Sequence, residues 1–391
     1  MKYYLRSVIA LSLAGVVSTQ SYALEVDRSV KPRITVGGRI IATLDAYDWD
    51  SNTSKEDEIN TEDSTLMLRF DKRMFEDGVA GSTLAFKEVD DKVVFNQLNA
   101  FFWNQNFQTR IGRTRLRNFL IELPLIREDD DFLTYSHVGN ASSNEEFDQK
   151  YADVLSVDWF VDKKAQSLGA WVATRRNETG VNAPGGFDSY GLSYVYEQPK
   201  EYQYLKTIRH AGIALDAQKV TLGSGDEWMN SVIGGIEFNL NDNPQNNWSM
   251  AIQAIVNEGA GTLSSADIIH SNANATMNRA RAESMAIVTS FRHTLRPNLL
   301  TRWQTAVSIA YKDYGDVSDA KQWSIAPNVV YRLGQGVDLL GQAVYTDYGA
   351  GLGGGSDTSI QLGIAFSLEA TYNDNIGERD SILNLEHGYI K

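Results

Sequence analysis

Apolar side chains recur at every second position through much of this 391-residue chain. Between residues 359 and 372, for example, Ile360, Leu362, Ile364 and Phe366 alternate with small or polar residues. Successive side chains of a β-strand point to opposite faces, so this spacing predicts strands with one apolar and one polar face. Similar segments lie at 34–44, 66–70, 248–256, 303–311 and 323–331. A long series of such strands behind an export signal predicts a transmembrane β-barrel.

The start of the chain has the features of a secretory signal peptide. Lys2 and Arg6 precede a short apolar run, and Ser21-Tyr22-Ala23 places small side chains where a signal peptidase cleaves. The apolar run is too short to cross a bilayer as a helix. We therefore predict a signal peptide at residues 1–23 and one mature barrel domain at residues 24–391.

Charge and composition exclude several classes of function. Removal of the signal peptide takes away two basic residues and no acidic ones, so 36 − 2 = 34 basic residues face 50 acidic ones and the formal charge moves from −14 to −16. A chain this acidic is not expected to bind nucleic acid. Cysteine is absent, which removes disulfides and thiolate metal ligands. After the signal, no apolar stretch reaches the roughly 20 residues of a membrane helix.

Sixteen segments of the chain are predicted as strands. They lie at 33–47, 62–74, 79–89, 92–103, 107–113, 152–162, 165–176, 188–197, 207–220, 229–240, 247–257, 281–294, 301–312, 320–333, 336–347 and 357–372. Another candidate at 381–390 would make seventeen. Single-chain bacterial barrels have even strand numbers, so we expect sixteen strands, with eighteen as the alternative. Tight turns such as 75–78 alternate with longer polar stretches such as 258–280, which we assign, together with the segment around Gly223–Asp226, to the outer surface.

Strand parity predicts which charged residues face the interior. If Ile34, Val36 and Ile40 contact lipid, the residues between them point into the barrel. A charge on the lipid side would cost about 2–4 kcal/mol at the bilayer midplane, so we expect the charges to line a wet lumen. The inward set predicted in this way is Arg39, Thr43, Asp45, Arg69, Lys87, Arg110, Asp158, Glu237, Arg302, Gln304, Arg332 and Glu369.

The connection that follows the fifth predicted strand is unlike the others. It extends to Tyr151. It begins with an arginine-rich run, and the acidic run Glu128–Asp131 follows further along the connection. Between these runs lie large apolar residues: Phe119, Leu120, Ile121, Leu123, Leu125 and Ile126. Exposure of so many large apolar side chains would be unfavourable in a loop in solvent, whereas a loop inside the barrel can pack them on the inner wall.

These features resemble the general diffusion porins of Gram-negative outer membranes. The resemblance rests on the export signal, the strand rhythm, the Gly112-Arg113 step and the acidic run. In that family a long third loop folds inward and narrows the pore, with acidic loop residues opposite basic wall residues. The resemblance implies basic wall residues Arg39, Arg69, Arg110 and Arg113 and loop acids Glu122, Glu128, Asp129, Asp130 and Asp131. Arg113 is out of phase with Arg110, so an inward orientation requires a bend at Gly112.

The resemblance also implies a location in the outer membrane, contact with lipid and lipopolysaccharide, and a homotrimer, for which Phe95, Ala100 and Phe101 mark one candidate face. The implied function is a water-filled channel for passive diffusion of small hydrophilic solutes and ions. The loop acids and the net charge predict a modest cation preference. The alternative for Asp129–Asp131 is a solvated loop or a binder of divalent ions. The last residue, Lys391, stands where the family usually has an aromatic residue.

Two other functions stay open at this point. One is a solute-selective uptake channel for an anion or a carbohydrate, and the other is a non-conducting surface adhesin. Enzymatic activity is not predicted, because the five histidines are widely separated and no metal-binding, serine-hydrolase or phosphate-loop motif occurs. No cofactor and no metal ion are predicted for the same reason.

Overall fold

The computed structural model describes residues 31–49, 57–61, 64–74, 78–89, 92–115, 120, 151–161, 165–174, 187, 189–199, 202, 205–222, 225–259, 283–297, 302–315, 317–334 and 336–372. Its wall consists of sixteen antiparallel strands. They are β1 (Arg33–Trp49), β2 (Glu58–Asn60 with Thr65–Arg73), β3 (Val79–Val89), β4 (Lys92–Trp103), β5 (Phe107–Arg115), β6 (Tyr151–Val161), β7 (Gln166–Thr174), β8 (Ser189–Glu197), β9 (Ile208–Leu222), β10 (Gly225–Asn239), β11 (Asn246–Asn257), β12 (Ser284–Leu295), β13 (Arg302–Tyr314), β14 (Lys321–Gly334), β15 (Val337–Tyr348) and β16 (Ser356–Tyr372).

The strands close into a ring. Each strand pairs with its neighbours in the chain, and β1 pairs with both β2 and β16, so that Ile34 lies opposite Phe70 on one side and Tyr372 on the other. A closed ring leaves no sheet edge, so the backbone groups of the wall are bonded between strands, as a lipid environment requires. The predicted number of sixteen strands is confirmed, and the alternative of eighteen is wrong. The candidate strand at 381–390 and the predicted signal peptide lie outside the described residues.

β2 counts as one strand because its two segments pair with the same partner. Asn60 is opposite Thr43, and Thr65 is opposite Arg39. Between these two pairs β2 has four residues and β1 has three, so β2 carries one extra residue. Ser64 supports this bulge, since its Oγ accepts a hydrogen bond from the backbone N–H of Ile41 at 3.1 Å. A bulge of this kind bends the strand without ending its pairing.

The two ends of the barrel differ in their connections. At one end, here called the short-turn end, the connections are short, as at 104–106 and 335–336. The other end, the long-loop end, carries the longest connections, 116–150 and 258–283. The outer loop expected around Gly223–Asp226 is an exception, because β9 and β10 continue until Leu222 pairs with Gly225. The connection is at the long-loop end, together with the other assigned outer loops, but it is short because Gly225 and Asp226 belong to β10.

The outer face of the wall is apolar and carries aromatic pairs near both ends. Trp303 and Tyr331 lie 4.2 Å apart (ring centroids) near the short-turn end, and Trp323 and Tyr345 lie 5.2 Å apart near the long-loop end. Such rings suit the interface between lipid and water. Phe101, expected on an outer subunit face, is instead on the inner side of β4 and is 4% exposed.

A short 3₁₀ helix, Ala350–Leu352, lies between β15 and β16. No helix among the described residues is long and apolar enough to cross a membrane.

Candidate pore lining

Polar and charged side chains occupy alternate positions along the inner face. On β11, for example, Ser249, Gln253 and Asn257 are buried, whereas Trp248 and Val256, at the alternate positions, are exposed on the outer face. The polar and charged residues predicted to point inward lie on this inner row of positions. Thr43, Asp45, Arg69, Arg110 and Asp158 are buried, Arg39, Lys87, Glu237, Arg302, Gln304 and Arg332 are half-buried, and Glu369 is exposed near the end of β16.

The four predicted basic wall residues lie on neighbouring parts of the wall. Arg39 of β1 is flanked by Thr65 of β2 and Ser367 of β16. Arg69 of β2 lies over the ring of Phe101, with its guanidinium carbon 4.8 Å from the ring centroid. Phe101 is in turn opposite Arg110 of β5 in the strand register. Arg69, Phe101 and Arg110 are therefore close together on the inner wall, with Phe101 reaching Arg69 across β3, which separates β2 from β4.

One glycine of β5 has a backbone conformation that other residues rarely adopt. Gly112 has φ = +114°, and a Cβ at this position would lie 2.4 Å from the carbonyl oxygen of Leu98, so another residue would be strained. Ile111, before it, is exposed on the outer face, whereas Arg113 and Thr114, after it, are both buried. Thr114 keeps the parity of Arg110, whose Nη1 donates to Thr114 Oγ1 at 3.4 Å, whereas Arg113 pairs with Leu98 of the outer face. Arg113 is buried, but its inward orientation stays a prediction.

Sequence reasoning missed an ion-pair group near the short-turn end, here called the Asp71 cluster (Arg33, Arg69 and Asp71). Arg33 donates from Nε and Nη2 to Asp71 Oδ2 at 3.1 and 2.9 Å. Arg69 donates from Nε to Asp71 Oδ1 at 2.9 Å. The side chains are almost sealed from water, with 4% exposure for each arginine and 0% for the aspartate. Strand parity could have predicted part of this cluster, because Asp71 follows Arg69 by two positions and therefore lies on the same face of the strand.

A second group, the Asp338 cluster, consists of Arg292, Arg296, Arg302, Arg332 and Asp338. Arg332 holds Asp338 through two bonds, from Nε to Oδ1 at 2.8 Å and from the second guanidinium nitrogen to Oδ2 at 3.1 Å. Arg302 lies directly opposite Arg332 in the register of β13 and β14. Four described residues have charges that act on Arg302. Three are positive (Arg292, Arg296 and Arg332) and one, Asp338, is negative. The Asp338 cluster therefore has an excess of positive charge.

An apolar belt, formed by inner positions of β6 to β15, faces the lumen. Its members are Ala152, Val154, Trp171, Ala173, Val195, Ala214, Ile233, Ala251, Ile255, Val288, Ala310, Ala326 and Val344. Leu120, from the long connection between β5 and β6, packs in the same cluster and is 4% exposed. Its Cδ2 lies 3.1 Å from where a Cβ of Gly212 on β9 would be. At Leu120 the third long-loop connection therefore lies inside the barrel, as its apolar residues predict.

The predicted loop acids, Glu122, Glu128, Asp129, Asp130 and Asp131, lie outside the described residues. Their position opposite the basic wall residues stays a prediction.

Comparison with known proteins supports the barrel architecture. No family model and no curated protein matches the sequence. Among solved structures, an anion-selective porin from Comamonas acidovorans is similar with 14% identity and a TM-score of 0.59, over 86% of this chain and 100% of that one. The outer membrane channel DcaP of Acinetobacter baumannii is similar with 12% identity and a TM-score of 0.57, over 87% and 97%.

A third similar structure is the trimer form of OmpT, an outer membrane protein of Vibrio cholerae. It has 9% identity and a TM-score of 0.55, over 86% of this chain and 99% of that one. At these identities the likeness concerns the fold. The chain is a closed 16-stranded antiparallel β-barrel of the kind that outer-membrane porins form.

Proposed function

We propose that this protein is an outer-membrane porin, a water-filled channel through which small hydrophilic solutes and ions diffuse passively. The observation that carries the proposal is the opposite chemistry of the two faces of one wall. On β1, Leu44 of the outer face is 61% exposed, whereas the neighbouring Asp45 of the inner face is 2% exposed. On β16, Leu362 and Gln361 repeat this contrast with 58% and 2% exposure. An apolar outside suits lipid and a polar inside suits water.

The proposed location is the outer membrane of a Gram-negative cell, reached by way of a cleaved signal peptide at residues 1–23. Aromatic pairs near both rims support a membrane position. A homotrimer is part of the proposal because a similar structure, OmpT, is described as a trimer form. Lipid and lipopolysaccharide would then contact the remaining outer face. Diffusion needs no bond making or breaking, so no enzymatic activity is proposed.

The acids of the long connection supply the proposed cation preference. Joint replacement of Asp129, Asp130 and Asp131 by Asn removes three negative charges from that connection. We expect a lower cation preference, measured as the reversal potential across a salt gradient. An unchanged reversal potential would remove these acids from the account of selectivity.

A second candidate is a solute-selective uptake channel for an anion. The excess of arginine over acid in the Asp338 cluster favours it, since rings of basic side chains are a common basis for anion selectivity.

Conductance of the purified protein in planar bilayers separates these functions. Large ohmic currents support the diffusion channel, and small currents that one anion blocks support the selective channel. A folded, inserted protein that carries no current would contradict both, and would leave the surface adhesin.

A further inference from the structure

We infer that the Asp338 cluster is a binding site for small anions that carry phosphate or carboxylate groups. The inference rests on the proposed function in one respect, because the site lines a lumen that solutes must be able to enter.

The strand register aligns the charges of the cluster in one row. Arg302 begins β13 and is directly opposite Arg332 of β14, which is opposite Asp338 of β15. Arg296 follows the last residue of β12, whose partner Trp303 is next to Arg302. Like charges directly opposite each other destabilise a sheet. A row with this much positive charge is therefore expected to gain stability from a bound anion.

The one acid of the row has both of its oxygens engaged. Asp338 Oδ1 accepts from Arg332 Nε and Asp338 Oδ2 accepts from a terminal nitrogen of the same side chain. Arg302 and Arg292 each keep a buried Nε with no hydrogen-bond partner in the described part of the chain. These Nε atoms are closed to solvent, so a dissolved anion can reach Arg302 and Arg292 only at the terminal nitrogens of their guanidinium groups. An anion bound there would balance positive charge that Asp338, already engaged by Arg332, does not balance.

The cluster is also open to solute. Arg292, Arg296 and Arg302 are half-buried, and the side chain of Arg332 is 37% exposed. Arg292, Arg302 and Arg332 lie at inner positions of their strands. Trp303 and Tyr331, next to Arg302 and Arg332 in the chain, lie on the outer face. Because these partly exposed guanidinium groups are on the lumenal side of the wall, the ligand they fit is a dissolved solute and not a headgroup of the surrounding lipid.

Guanidinium chemistry sets the class of ligand. The planar fork of donors matches the spacing of oxygens in a carboxylate or a phosphate, and a two-pronged contact of this kind is stronger than a neutral hydrogen bond. Chloride offers a single centre and makes no such contact. The cluster should therefore prefer an oxyanion over chloride at equal ionic strength.

The test uses inorganic phosphate and the folded, detergent-solubilised barrel. Calorimetric titration at constant ionic strength, with chloride as the reference anion, should show phosphate binding to the wild-type protein. Arg302→Gln should weaken binding by about tenfold, because it removes one charged donor group. If Arg302→Gln folds poorly, Arg292→Gln, on a different strand, tests the same expected weakening of phosphate binding.

A matched control is Arg209→Gln. Arg209 is near the same end of the barrel and donates to Glu237 at 2.8 Å, so its replacement changes the net charge equally but removes no donor of the cluster. We expect phosphate binding by this variant to stay close to that of the wild type. Absence of phosphate binding by the wild-type protein, or equal weakening in Arg209→Gln and Arg302→Gln, would overturn the inference. Binding in detergent needs no current, so a failure here is distinct from a failure to conduct.

Discussion

The Asp71 cluster and the Asp338 cluster are built from the same side chains, near the same end of the barrel, yet they differ in exposure to water. In the first, the arginines are 4% exposed and the aspartate 0%. In the second, Arg332 is 37% exposed and Asp338 6%. The first acid is shared between two arginines, whereas the second is fully engaged by one. Arg302 and Arg292 are therefore left over in the second cluster.

The difference separates a structural role from a binding role. A sealed ion pair holds β1 against β2 and presents little charge to a solute, although removing one partner is costly because the other charge stays buried. An exposed pair contributes little to stability, and the surplus charge beside it is available to the lumen. Arginine content alone thus does not identify the residues that select solutes.

The largest effect is expected from Asp71→Asn. It leaves Arg33 and Arg69 buried without their shared carboxylate, so we expect a loss of about 3–5 kcal/mol in the free energy of unfolding. Denaturant titration followed by tryptophan fluorescence measures this loss.

Asp338→Asn is the matched variant for the open cluster. It should lose less than half as much, since Arg332 can turn to water. Equal losses in the two variants would show that the clusters do not differ as described.

A smaller effect is expected from Phe101→Leu, which removes the ring beneath Arg69. A desolvated contact between a cation and an aromatic face contributes about 2 kcal/mol, so the free energy of unfolding should fall by that order. Phe102→Leu, next in sequence but on the opposite side of β4, is the control and should cost less. The reverse ranking would exclude the contact with Arg69 as the cause.

The smallest effect concerns ion selectivity and the open cluster. Arg302→Gln should lower the relative anion permeability by about twofold, the scale of a partly exposed charge. The Debye length falls from about 10 Å at 0.1 M salt to about 3 Å at 1 M, so the shift in reversal potential should shrink at high salt. A shift of the same size at both concentrations would contradict an effect transmitted through open solvent.

Sequence reasoning predicted the strands well because alternation is a local property. The outward side of Leu362 and the inward side of Gln361 follow from the alternation of neighbouring residues alone. The same alternation rule placed Arg69 and Arg110 inside the barrel. The rule treated apolar residues as lipid-facing, so it missed Trp171 and the rest of the apolar belt, which line the inner wall. The acid at position 71 was missed as well, although it shares a face with Arg69.

The period-two pattern by itself determined a barrel, its strand number and the sides of most charged residues, because burying polar atoms in lipid is costly wherever a strand lies. Tertiary structure alone decided which charges meet. Arg33 and Asp71 are 38 residues apart and pair through the register of β1 and β2. The burial of Arg113, which follows Gly112 with its φ of +114°, likewise could not be read from strand parity. Cross-strand register and local backbone angles arise from the closed ring as a whole, which no single segment of sequence specifies.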